Sequence, residues 1–172
     1  EKTEAPVGVL GPGRQEGAFT LKRYHPSESL RWLIEHYWSV RWDLRGRSPH
    51  RQKTLPHPSV HLVLEGQKAE VFGVMTGSFE RVLEGEGEVL GIKFHPGAFS
   101  ALIEEPVETL TDQRRPAAQV LGPQARSLTE VLAAPEDDAR IVHIERWLRA
   151  RAVRARVPLA SIERALELIR TD

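Results

Sequence analysis

Histidines and a tryptophan-bearing strand are the residues of this chain whose types and spacing could do chemistry. His57 and His61 stand four residues apart, a separation that suits two metal ligands on one face of a helix. Pro56 and Pro58 argue against a helix there. On an extended strand four residues span roughly 13 Å. That is too far for two ligands that must each approach one ion to about 2 Å. His95 could join them only through the fold. The sequence has no His-x-His pair and no His-Glu-x-x-His. The three histidines therefore read as surface or rim residues, and neither metal nor cofactor is expected.

Other catalytic patterns are absent as well. There is no Gly-x-Ser-x-Gly elbow, no Gly-x-x-x-x-Gly-Lys loop and no cysteine, so thiol catalysis, disulfides and zinc ribbons drop out together. Gly85-x-Gly87 with Gly91 has the wrong final spacing for a dinucleotide loop and sits where a hairpin is expected. No catalytic residue is assigned. What remains is an aromatic wall. From Tyr37 to Leu44 the chain reads as a strand with Trp38, Val40 and Trp42 on one face and Tyr37, Ser39 and Arg41 on the other. Aromatic faces supply large contact area for a small molecule, although such rings also serve as plain core. Trp38, Trp42 and His61 are the candidate ligand-contacting residues.

The elements that would position them are β first and helical afterwards. Residues 1–18 hold four glycines and two prolines and read as a flexible arm unless something pins them. A short strand begins at Phe19 and stops at His25-Pro26, and Ser27 looks like the N-cap of a helical turn through Leu30, Leu33 and Ile34. Val60–Glu65 turns through Gly66-Gln67-Lys68 into Ala69–Phe72, and Arg81–Glu84 with Val89–Phe94 reads as a second hairpin, Leu90, Ile92 and Phe94 inward. Strands at this spacing predict a small antiparallel barrel or sandwich. After Pro96 the period changes to helical. One helix carries Leu128, Val131 and Leu132, and a second over 137–154 carries Ile141, Ile144, Trp147 and Leu148. A last helix opens with Ile162, Leu166 and Ile169. The fold class is α+β.

Composition is neutral on partners. The 172 residues balance 24 basic against 24 acidic side chains and are 40 % hydrophobic, which affords a core but no basic surplus for phosphate contacts. No apolar run approaches the roughly 20 residues of a membrane span, and the start is no signal peptide. A cytoplasmic protein without membrane contact is expected.

Tyr24-His25-Pro26-Ser27 with Leu30 and Tyr37-Trp38, Leu55-Pro56 before Val60–Glu65, Gly91–Phe99, and Leu110-Thr111-Asp112 stand in an order that resembles the N-terminal domains of AraC-type bacterial transcription regulators. The resemblance covers roughly residues 20–155. It implies a cupin-like β sensor domain over 19–113, a helical dimerisation or linker segment over 114–157, and the truncated start of a helix-turn-helix domain over 158–172. It also implies a homodimer, a small-molecule effector, and DNA contact only through the domain that would follow. The dimer seam is expected at Leu128, Val131, Leu132, Ile144, Trp147 and Leu148. A small cupin-like metal-dependent enzyme is the competing reading. Arg140, Arg146, Arg149, Arg151, Arg154 and Arg156 read as a solvated face.

Overall fold

The computed structural model describes residues 9–10 and 19–152. Among these described residues nine strands fall into two antiparallel sheets: β1 (Val9–Leu10), β2 (Phe19–Tyr24), β3 (Ile34–Asp43), β4 (His50–Thr54), β5 (His61–Glu65), β6 (Lys68–Phe72), β7 (Phe79–Leu83), β8 (Glu86–Phe94) and β9 (Arg114–Pro116). The larger sheet has the order β2-β3-β8-β5-β6-β9, and the smaller one β1-β4-β7. Two helices follow, α1 (Ala117–Val120) and α2 (Asp137–Ala152), with 3-10 turns at Ala98–Leu102 and Pro123–Ala133. The expected α+β class is what the chain adopts. The sheets are not closed into a barrel.

β8 explains the layout. It is the central strand, paired with β3 on one side and β5 on the other, and its last six residues are all buried. Leu90, Ile92 and Phe94 face one way, into a core with Tyr37, Leu62 and Leu64 that is closed by Phe99, Leu121, Leu128, Ile144 and Leu148. Val89 faces the other way, into a smaller cluster with Trp42, Leu44 and Leu83. A strand buried on both faces needs a neighbour on each edge and cover above and below. The six-stranded sheet therefore has a helix-covered face and an opposite face, which the small sheet covers at its Trp42 end.

Several expectations are corrected. Arg81–Glu84 does not form a hairpin with Val89–Phe94. β7 pairs instead with β4, because β8 already has both edges filled. β4 itself, mostly polar, was not expected, nor was β9, which lies inside the stretch read as helical. Ile34 begins β3, and the turn before it is a short 3-10 segment, Glu28–Leu30. Val9–Leu10, within the predicted arm, pairs with Thr54 and Lys53. The rest of that arm and the predicted last helix with Ile162, Leu166 and Ile169 lie outside the described residues. No helix among the described residues is long and apolar enough to cross a membrane.

Candidate functional site

The strand pairing brings distant residues into rows across the face away from the helices. Trp38 pairs with Arg23 on β2 and Gly91 on β8, which continues to Val63 on β5. In the next row His36 pairs with Lys93, and Lys93 with His61. Directly opposed residues on one face stand about 5 Å apart at Cβ, so His36, Lys93 and His61 form a continuous polar strip beside Trp38. The alternation predicted for β3 holds: Trp38, Val40 and Trp42 pack toward the smaller cluster, and Ser39 and Arg41 turn to α2.

Both tryptophans lie across glycines. A Cβ on Gly91 would meet Trp38 Cε2 at 2.0 Å, and one on Gly87 would meet Trp42 Cζ2 at 2.3 Å. The bare backbone of β8 is the bed on which the two indoles rest. Trp42 is buried, its Nε1 donating to the Glu84 carbonyl at 3.1 Å, so it serves as core. Trp38 is half-buried, and His61 stands edge-on to its ring at 6.4 Å between centroids. Gly91→Ala should therefore displace the Trp38 ring, cost about 1–3 kcal/mol, and shift the tryptophan emission. An unchanged emission spectrum and melting temperature would refute this role for Gly91.

Lys93 is the centre of the strip. Only 9 % exposed, its ammonium donates to Glu35 Oε1 at 3.0 Å and to His57 Nε2 at 2.9 Å. An ammonium has donors alone, so His57 Nε2 is the acceptor. The ring proton then sits on Nδ1, facing Ser59 Oγ at 3.0 Å. His57 is thus held neutral, and burial with the Lys93 charge lowers its pKa. Burial pushes His61 down to about 4, with Lys93 adding to the effect. Burial also takes His36 to about 4 against the pull of Glu35, 3.7 Å away. For Glu35, burial raises the pKa, but the hydrogen bond and charge of Lys93 outweigh it, leaving a carboxylate. The strip therefore offers a cation, an anion and three neutral imidazoles.

His61 and Trp38, both expected at a ligand site, are brought together here. Trp42 is on the same face but in the packed end. His57 does reach the strip, as the acceptor for a lysine, while His95 turns away to the Arg31 carbonyl at 2.9 Å. Among the described residues no three His, Asp or Glu side chains are placed to hold a metal ion. Sequence reasoning missed Lys93, Glu35, His36 and Arg23. A signal for Lys93 was there: with Ile92 and Phe94 inward, it lies on the Gly91 face as the one charged residue of the otherwise apolar run Val89–Phe94.

The helix-covered face holds a second polar assembly. Asp137 accepts from Tyr24 Oη at 2.6 Å, Ser39 Oγ at 2.8 Å, Arg41 Nη2 at 2.6 Å and Arg140 Nη1 at 3.2 Å. Arg140 and Arg41 also share Glu88. Burial raises the Asp137 pKa, but these hydrogen bonds and charges outweigh it and hold it below the usual carboxylate range. About two turns further along α2, Glu145 accepts from the Ser27 backbone N–H at 2.8 Å and Tyr37 Oη at 3.4 Å. Arg140 is thus buried, correcting its placement on a solvated face, and Arg149 pairs with Glu145. Arg154 and Arg156 lie outside the described residues.

The expected dimer seam is corrected in the same way. Leu128, Val131, Ile144 and Leu148 are buried in the chain's own core, because the sheet face is broad enough to take both helical stripes. Leu132 and Trp147 are half-buried against that core, and Trp147 carries Arg151 over its ring at 5.6 Å.

A search of the curated proteins and one of the solved structures return no match. A family model described as a domain of unknown function, DUF6597, matches residues 22–116, which run from within β2 to the end of β9 and include Trp38, His61 and Lys93. The match spans more than half of the chain, and the protein belongs to the DUF6597 family.

Proposed function

We propose that this chain is the regulatory domain of an AraC-type DNA-binding transcriptional regulator, a non-catalytic module that senses a small molecule and dimerises. The observation that carries the reading is the double duty of β3. One face of this strand presents His36 and Trp38 to the polar strip, and the other clamps α2 through Tyr37, Ser39 and Arg41. A ligand that shifts β3 is felt directly by α2, and α2 leads the chain onward toward the DNA-binding domain that the AraC resemblance implies. Such linkage needs a ligand with different affinity for two arrangements of strand and helix. DNA is met by that following domain, not by this one. The seam between two copies falls to side chains that α2 leaves outside, Val142 at 55 % exposure first among them.

Fusion of residues 1–172 to a monomeric DNA-binding domain that represses a reporter only as a dimer tests this. Repression is expected, and Val142→Asp should abolish it while leaving the melting temperature unchanged. A fusion that fails to repress defeats the regulator reading. Full repression by the Val142 variant moves the seam elsewhere.

A further inference from the structure

The strip beside Trp38 has an uncompensated positive charge. Lys93 is balanced by Glu35, and His36, His57 and His61 carry none near neutrality. Arg23, opposite Trp38 on β2, is exposed and has no carboxylate partner among the described residues. Of the further basic side chains on this face, Arg81 pairs with Glu65 and Arg114 with Glu70, and Lys68 stands at the turn end of β6, three strands across the sheet from Trp38. The net charge around Trp38 is thus one positive. Lys93 also keeps a donor in hand, since an ammonium has three N–H groups and Glu35 and His57 take two. Beside these donors lies the half-buried Trp38 ring, held flat by Gly91, a surface for stacking.

We propose that the ligand of this face is a small planar monocarboxylate, an aromatic or heteroaromatic acid. Its ring lies against Trp38, and its carboxylate takes the remaining Lys93 donor with Arg23 supplying the compensating charge. Charge-assisted hydrogen bonds to a carboxylate are shorter and stronger than neutral ones. A monoanion brings the local charge to zero, whereas a dianion would overshoot it and a cation would meet repulsion. His61 limits the ring's extent along the strip, because it already stands edge-on to Trp38. This assignment rests on reading the face as the sensing site, and it adds the chemistry of what is sensed.

Calorimetric titration with benzoate and with its uncharged isostere benzamide is the test, on the wild-type chain and on Lys93→Met, Arg23→Gln and Trp38→Leu. Benzoate is expected to bind and benzamide to bind about tenfold more weakly or worse. Lys93→Met and Arg23→Gln should each weaken benzoate by about tenfold while leaving benzamide unchanged. Trp38→Leu should weaken both. Arg23 is exposed, so its variant keeps the fold and decides the matter should Lys93→Met unfold. Equal affinity for acid and amide, benzoate binding unaffected by Arg23→Gln, or no binding of either probe at about 10 mM overturns the proposal. The reporter fusion separates the two readings. Repression together with indifferent binding of acid and amide keeps the regulator and discards the ligand class. Selective benzoate binding without repression does the reverse.

Discussion

Asp137→Ala should destabilise the protein by about 3–5 kcal/mol, the usual consequence of removing one partner from a buried charge network. The Asp137 carboxylate is 4 % exposed and sits between Arg41 and Arg140. Its removal leaves Glu88 as the one carboxylate for two guanidinium groups, the buried Arg140, 5 % exposed, and the partly exposed Arg41. It also strips the hydroxyls of Tyr24 and Ser39 of their acceptor, and an unmade buried hydrogen bond costs about 1–3 kcal/mol. The carboxylate further stands in the first turn of α2, where a negative charge meets the positive end of the helix dipole. Asp137→Asn retains the shape and one acceptor, so a loss smaller than that of the alanine variant is expected. Urea unfolding followed by far-ultraviolet circular dichroism gives both numbers. A loss below about 1 kcal/mol for the alanine variant would show that α2 is held by apolar packing through Ile144 and Leu148 alone, and the coupling from β3 to α2 would lose its basis.

How much of this was legible in the sequence depends on whether a feature is local. The β3 alternation is local, and it correctly put Trp38 and Trp42 opposite Ser39 and Arg41. The start of α2 is local too, announced by Pro135 and the acidic run after it. Register is not. Nothing in the order of residues says that β8 lies between β3 and β5, and without that pairing Lys93 cannot be placed between His36 and His61. The same missing register produced the mistaken hairpin of β7 with β8. Nor could the stripe of Leu128, Val131, Ile144 and Leu148 reveal whether it meets a partner or the chain's own sheet, since both give the same apolar period. Of the β8 glycines, Gly87 looked like a turn residue and Gly91 like an ordinary strand position. Only the indoles lying on Gly87 and Gly91 give their reason. Arg140 looked solvated because its counter-ions, Asp137 and Glu88, come from its own helix and from a strand some fifty residues earlier.

Stability should fall steadily as the pH is lowered from 6.5 to 4.5, before the carboxylates contribute. His36 and His61 have an ordinary value of 6.5 and are held to about 4 in the fold. Between those values the unfolded chain binds protons that the folded chain refuses, so unfolding is favoured as pH drops. The stabilisation is fully present above 6.5 and is lost on the way down to 4. Each shift corresponds to about 3 kcal/mol at most, and partial solvent access at the strip reduces that figure. Together the two residues should account for roughly 3–5 kcal/mol across the window. Glu35, Glu88 and Asp137 act lower down. Their pKa values lie below the ordinary ones, so their contribution is present above the unfolded values and disappears only as pH falls through the folded ones. The interval from 6.5 to 4.5 consequently isolates the histidines. Urea unfolding at half-unit steps across it should give a steep loss for the wild type and a much shallower one, left to His57 with its lowered pKa, for the His36→Gln, His61→Leu double variant. Parallel slopes for the two proteins would mean that both imidazoles can take up protons in the folded state. The strip beside Trp38 would then be wet and open, and Lys93 would not stand among neutral neighbours.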